Sequence, residues 1–367
     1  MNSSRNTRIY LPALISALAL FLFGAIFTVA PVMAQKTKQL PPPPPVPIYR
    51  PKPTPTPAPE ELDVVRVTSN LIAVPVSVTD ANGQPVLGLT ADQFRIDEDG
   101  RSQQIAQLGD PEQVPLDIAL LIDVSASVEA RFAFEQKAAA DFLRQVMKPG
   151  DRAAVFAIGE TPRFVQPLAA TDVATRQLLT IKPTRGFTAF FDTILAAEKY
   201  LDQNSSQGRR RVMVVLSDGD DTARILTAST APSRKGDMNL IGVNAQIALM
   251  QRAQLEAQQE VQRAEITFYS INPSGNTMHL NPRSARSQQG MERIAGATGG
   301  AAFLPSNDGQ LPAIFQRIAS EIRSQYLLQY YSDNKASGAA FRRIKVTAPA
   351  RPELRLRARE GYFPKGQ

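Results

Sequence analysis

Unbroken apolar runs alternate with amphipathic stretches through the middle of the chain. Ile118-Ala119-Leu120-Leu121-Ile122 has no polar break, as a strand buried on both faces would have. Ala153–Ile158 and, after Arg211, Val212–Leu216 are similar buried runs, and Ile266–Ile271, with Thr267 and Ser270 within it, reads as a fourth strand. Between and after them lie segments of helical length and spacing, over about 129–147, 171–181, 190–204, 243–264, 290–298 and 312–324. Lys148-Pro149-Gly150 stops the first of these helices. Arg163-Phe164-Val165 reads as a short edge strand and 301–304 as another short strand. This alternation predicts an α/β fold, a doubly wound, mostly parallel sheet over residues 116–325.

The flanks have a different texture. Val64-Val65-Arg66-Val67 and Ile72–Val78 are β-branched and partly alternating. Val86-Leu87, Phe94–Asp97 and Gln104–Ala106 read as further short strands, with turns at Asp80–Gly83 and Asp97–Gly100. Residues 62–115 therefore predict an all-β segment, short for a complete sandwich. Tyr326–Tyr331, Arg342–Val346 and Leu354–Ala358 are also strand-like, and too few to fold alone. The expectation is that 326–367 joins 62–115 in one sandwich-like β domain, with the α/β domain inserted between them.

At the start, Arg5 and Arg8 precede an apolar stretch over 11–32, closed by Val32-Met33-Ala34. That order predicts a signal peptide or N-terminal membrane anchor over 1–34. The apolar part, about 20 residues, is long enough to span a bilayer, so cleavage after Ala34 and retention both stay open. Residues 35–61 are a Pro-rich linker, which should be an extended spacer rising about 3.1 Å per residue. The chain is thus expected to be exported, and to be periplasmic, cell-surface or secreted.

Composition narrows the chemistry. With no Cys, disulfides, thiol catalysis and zinc–cysteine sites are excluded. The one His, His279, leaves no room for a His-rich metal site. The charge, 41 Lys+Arg against 34 Asp+Glu, is mildly basic and suits an acidic partner without arguing for nucleic acid.

Oxygen donors gather where predicted strands end, the place where ligands bind in doubly wound sheets. Ile118–Ile122 runs into Asp123-Val124-Ser125-Ala126-Ser127, and Arg211–Leu216 into Ser217-Asp218-Gly219-Asp220-Asp221. Between them, Arg185-Gly186-Phe187-Thr188 opens a helix. Carboxylates and hydroxyls of this kind suit Mg²⁺ or Ca²⁺ and not a soft metal. Asp220 and Asp221 read as turn residues or caps, Asp192 as a helix-face residue, and Arg209-Arg210-Arg211 as a solvated lead-in to a strand. The helix at 243–264 offers an apolar stripe of Val243, Ile247, Met250, Leu255 and Val261. Ile225–Leu240 before it reads as a long loop insert that would distinguish the partner.

Together these motifs resemble the von Willebrand factor type A domain and its metal-ion-dependent adhesion site, over about 116–325. The resemblance implies Asp123, Ser125, Ser127, Thr188 and Asp218 as ligands of Mg²⁺ (or Mn²⁺/Ca²⁺). The flanks, with GLTADQFRIDEDG before and RAREGYF after, are similar to exported bacterial proteins related to that domain. The implied function is an extracytoplasmic, metal-dependent protein-binding module for adhesion or assembly. Its ion would capture an Asp or Glu of a partner protein. A scaffold with a purely structural ion is the alternative. A metal-dependent phosphoester hydrolase has less support, because the sequence shows no P-loop, no G-x-S-x-G and no general base beside the site. The chain is therefore expected not to be an enzyme.

Overall fold

The computed structural model describes residues 71–126, 129–229, 238–275, 281–334 and 338–364, with the backbone alone described over 227–229 and 238–243. Two compact units divide the chain, Met1–Val65 and Arg66–Gln367, and the described residues all lie in the second. The expected signal or anchor, the Pro-rich linker and the strand at 64–67 lie outside the described residues, as do Ser127 and His279. Among the described residues no helix is long and apolar enough to cross a membrane.

Four strands come first: β1 (Leu71–Thr79), β2 (Arg95–Glu98), β3 (Arg101–Gln103) and β4 (Ile105–Gly109). An α/β layer follows: β5 (Leu116–Asp123), α1 (Phe132–Val146), β6 (Arg152–Ile158), β7 (Pro162–Ala169), α2 (Thr171–Leu178) and α3 (Phe190–Asn204). It continues with β8 (Arg210–Leu216), α4 (Thr222–Ser229), α5 (Met238–Arg263), β9 (Ile266–Ile271), α6 (Pro282–Thr298), β10 (Ala302–Phe303) and α7 (Leu311–Ser324). The last elements are β11 (Tyr326–Tyr331), β12 (Arg342–Thr347), β13 (Arg355–Ala358) and β14 (Gly361–Tyr362).

The α/β sheet has the order β10-β9-β8-β5-β6-β7, parallel except for the antiparallel edge strand β7. Burial on both faces explains the unbroken apolar runs. Ile118, Leu120 and Ile122 of β5 face a core built with Phe142 of α1 and Phe315 and Ile318 of α7. Ala119 and Leu121 face the other core, with Phe190 and Ile194 of α3, Val261 of α5 and Ile294 of α6. Helix α5 departs from the expected stripe. Among its described side chains Ala253, Ala257, Val261 and Gln262 are buried, while Leu255 is 53% exposed. Small side chains let the helix lie close to the sheet, and alanine gives a weak apolar signal. The expected loop insert at 225–240 is also corrected. Its two ends are helical, in α4 and in the first turns of α5, and residues 230–237 between them are outside the described set.

The flanking strands form two four-stranded antiparallel sheets, β13-β1-β11-β4 and β14-β12-β2-β3. Strand β1 lies between β11 and β13, so segments from both ends of the described chain share one ladder. Val74, Val76, Ile96, Leu328, Tyr330 and Tyr362 fill the core between the sheets. The expected strand at Val86-Leu87 is absent. Only a Thr79–Pro85 bridge forms there, and Leu87 is exposed. Glu98, expected in a turn, is instead the buried last residue of β2. It accepts hydrogen bonds from the hydroxyls of Tyr330 (2.7 Å), Ser332 (2.7 Å) and Tyr362 (3.2 Å). The turn itself sits at Asp99-Gly100, both with positive φ.

The α/β layer leaves the first sheet after Gly109 and returns at Leu327, and these two residues are register partners in adjacent strands. A buried polar network seals the junction. Glu321 of α7 accepts from Ser77 (3.0 Å) and Tyr269 (2.9 Å) and pairs with Arg357. Burial, with the Glu321 charge beside it, pushes the Tyr269 hydroxyl well above its ordinary pKa. Arg210 donates to the Ile322 carbonyl (2.9 Å) and to Gln325. Arg209 donates to Asp117 (2.8 Å), and Arg211 pairs with Asp202 (2.9 Å). Arg211 also donates to the Ala264 carbonyl (2.8 Å), so the arginine run is not a solvated lead-in: each guanidinium has a partner from a distant part of the chain.

Two glycines distinguish a required backbone from a permissive one. A Cβ on Gly300 would lie 1.9 Å from the Phe268 carbonyl oxygen, whereas a Cβ on Gly296 in α6 would meet nothing within 4 Å. Gly300→Ala is expected to destabilise the protein by about 3 kcal/mol or more through overpacking against backbone. Gly296→Ala should stabilise by about 0.5–1 kcal/mol through helix entropy. Urea unfolding of the two variants checks the contrast, and equal midpoints would contradict it.

Candidate metal centre

The site is assembled from three loops at the carboxyl edge of the sheet. Strand β5 ends at Asp123, which is completely buried. Its Oδ1 accepts the Ser125 N–H (2.9 Å), the tight turn expected when an Asp leaves a strand. Its Oδ2 accepts the Ser217 hydroxyl (2.6 Å) from the end of β8. Ser217 in turn accepts the Gly219 N–H (3.1 Å), so one hydroxyl shapes the second loop and ties it to the first. Asp218 follows, half-buried, with Oδ1 accepting the Asp220 N–H at 3.0 Å.

The third loop, 184–189, is pinned from both sides. Thr184 donates to the Val124 carbonyl through its hydroxyl (3.2 Å) and its N–H (2.5 Å). The Thr188 N–H donates to the Thr222 hydroxyl (2.7 Å), and the Ala223 N–H to the Thr188 carbonyl (3.2 Å). The Ala189 N–H reaches the Gly159 carbonyl at 2.7 Å. Asp221 is buried and caps two helices, accepting the Phe191 N–H of α3 (3.0 Å) and the Arg224 N–H of α4 (3.1 Å). Asp220 accepts from Ser287 of α6 (2.7 Å), and Asp192 pairs with Arg224.

The structure thus brings Asp123, Ser125, Thr188 and Asp218 to three loops bonded to one another, and Ser127 is outside the described residues. Ser125 and Thr188 are buried, at 5% and 4% exposure. Ser217, Thr184 and Thr222 hold these loops in place and were not singled out from the sequence. For Ser217 a signal existed: a hydroxyl closing an apolar run directly before Asp218. Nothing local marked the other two.

A family model for the von Willebrand factor type A domain matches residues 118–220, a span that contains every candidate ligand. The chain carries a von Willebrand factor type A domain. Several solved structures are similar to it. A von Willebrand factor type A protein from Catenulispora acidiphila is 15% identical, with a TM-score of 0.43 over 70% of this chain and 51% of that one. This chain therefore spans about half the length of that protein. The vWF domain of the type V pili tip protein Mfa5 from Porphyromonas gingivalis is 14% identical, with a TM-score of 0.41 over 57% and 95%. Proximal thread matrix protein 1 from the mussel byssus, solved with a zinc-occupied MIDAS motif, is 14% identical, with a TM-score of 0.40 over 60% and 48%. No curated protein matches the chain.

The two buried aspartates of β5 have opposite electrostatics. Burial pushes the Asp117 carboxyl upward, but hydrogen bonds from Arg152 and Ser205 and the Arg209 charge outweigh it, leaving it below the ordinary value. Burial also pushes Asp123 upward. There the Ser217 and Ser125 bonds do not outweigh it, and Asp220 adds a like charge. Among the described residues no Lys or Arg pairs with Asp123. A buried carboxylate with two neutral donors and no cation fits a bound hard cation. Among the described residues no group of three His, Cys, Asp or Glu gathers to hold a metal, so the candidate set rests on hydroxyls with two carboxylates.

Glu135 on α1 is another buried carboxylate, with Arg131 Nε 2.7 Å away. Burial pushes it up to about 7, against the Arg131 attraction and with Asp308 and Asp123 adding repulsion. The folded chain therefore keeps a proton that the unfolded chain releases near its ordinary pKa. Stability from this group is present at low pH and is lost as pH rises from about 4.5 to about 7. In a chelator, the wild type should lose on the order of 2 kcal/mol more between pH 5 and pH 8 than Glu135→Gln. Parallel pH dependence of unfolding in the two proteins would contradict this.

Proposed function

We propose that this type A domain is a metal-dependent protein-binding module. Asp123, Ser125, Ser127, Thr188 and Asp218 hold Mg²⁺, or Mn²⁺ or Ca²⁺ in its place, directly or through water. The observation that carries this reading is the buried Asp123 carboxylate, braced by neutral donors from Ser125 and Ser217, with no Lys or Arg paired to it among the described residues. A bound ion supplies positive charge with an open position for a carboxylate of a partner protein. The chain's own residues orient the donors: Ser217 fixes the Asp123 carboxylate, and Thr222 fixes the Thr188 backbone.

The same reading takes the α/β body at 116–325 as carried on the β segments either side, in an exported protein. The N-terminal pattern of Arg5, Arg8 and the apolar run supports export, and adhesion or assembly outside the cytoplasm follows from it. The module is read as non-catalytic, since the sequence offers no general base or nucleophile motif at the site.

Thermal unfolding with and without Mg²⁺ or Mn²⁺ tests the proposal. At an ion concentration of about 100 times Kd, the wild type should gain about 2.7 kcal/mol. Asp123→Ala should gain nothing, and Thr188→Ala and Asp218→Ala should gain less than the wild type. No shift in the wild type at millimolar ion would overturn the metal reading and leave the scaffold alternative.

A further inference from the structure

Beside the candidate ligands lies an aromatic side chain that the metal reading does not use. Phe187 directly precedes Thr188 and is 47% exposed. Its exposure is not that of a loose loop. Thr184 is bonded to Val124, Thr188 to Thr222 and Ala223, and Ala189 to Gly159. Gly186 lets the loop lie against Glu160, where a Cβ would come within 2.6 Å of the Glu160 side chain. The backbone on both sides of Phe187 is therefore fixed, with the ring held outward.

A second apolar residue is placed nearby by the same bonds. Thr222 uses its side chain to hold Thr188, so that face of α4 is turned to the loop. Leu226 is four residues on, one turn along the same helix face, and is 45% exposed. Charge on this rim is supplied by Arg185, two residues before Phe187. Its side chain is 84% exposed, and its nearest carboxylate, Glu129, is 3.5 Å away. Phe187, Leu226, Arg185 and the candidate metal ligands thus lie on loops and a helix that are bonded to one another.

We propose that Phe187 and Leu226 form an apolar shelf beside the metal site that selects a partner segment in which the captured Asp or Glu has a bulky apolar neighbour. This rests on the metal-dependent reading and deepens it. The ion takes the carboxylate, Arg185 favours an acidic segment, and the shelf removes the neighbouring side chain from water. A pre-set aromatic gives contact area without an ordering penalty, which is why a pinned Phe serves this role better than a mobile one.

Labelled, capped pentapeptides with a central Asp and either glycine or Phe beside it, before or after, are the probes. Asn replaces Asp in the controls. Fluorescence anisotropy is read in Mg²⁺ and in a chelator, with the wild type, Phe187→Ala, Leu226→Ala and Asp123→Ala. In Mg²⁺ the wild type should bind one of the Phe-containing Asp peptides about tenfold more tightly than the glycine one. That ratio should fall towards one in Phe187→Ala and decrease in Leu226→Ala, with the glycine peptide bound as before. Equal affinity of wild type for the glycine and Phe peptides, with both lost in chelator, would overturn the shelf while leaving the metal reading intact. Absence of metal-dependent binding to every Asp peptide, or equal binding of the Asn controls, would overturn both.

Discussion

The central strand β5 buries a carboxylate at each end, and the fold treats the two differently. Asp117 at the amino end is held by Arg152, Arg209 and Ser205, which neutralise it and anchor the starts of β6 and β8 beside it. Asp123 at the carboxyl end receives the Ser125 N–H and the Ser217 hydroxyl, and no Lys or Arg among the described residues pairs with it. The layer is thus electrostatically closed at one edge and open to a cation at the other. The rest of the site follows from that asymmetry. Its three loops are bonded to one another through hydroxyls and backbone groups, which fix geometry without supplying charge.

The junction with the flanking strands depends on a second buried carboxylate network. Glu321 at the end of α7 meets Ser77 and Arg357 from the β sheets and Tyr269 from the α/β sheet. Removing any one donor would leave a buried charge under-satisfied, so the contact is specific as well as close. Gly299 and Gly300 allow the 358–361 segment and β9 to approach α6, and the Glu360 N–H completes the contact on the Ala297 carbonyl (3.1 Å).

Much of this was legible in the chain because two-sided burial writes unbroken apolar runs. The strands β5, β6 and β8 are legible from such runs, β9 from its β-branched and aromatic residues, and the expected helix at 190–204 matches α3. The strand-end positions of Asp123 and Asp218 followed from the same reading. What escaped was non-local. Arg209-Arg210-Arg211 looks like a solvated cluster until Asp117, Gln325 and the Ala264 carbonyl are brought to it. Glu98 sits in a string of turn-forming residues, and Tyr330, Ser332 and Tyr362, all far along the chain, make it a core acceptor. Helix α5 packs through alanines, which carry little apolar contrast, so the larger Leu255 drew attention to the wrong face.

The side-by-side position of Gly109 and Leu327 has a mechanical consequence. Tension applied at Leu71 enters β1, which is laddered to β11 on one side and β13 on the other. Sliding β1 along its axis would require both antiparallel ladders to shear together. The chain enters and leaves the α/β layer through β4 and β11, which are bonded to each other. Load therefore passes between these neighbours across their shared ladder and bypasses the inserted layer. A pull between Leu71 and β13 is thus borne by the β ladders, and the loops around Asp123 join the load path only when a partner is held there.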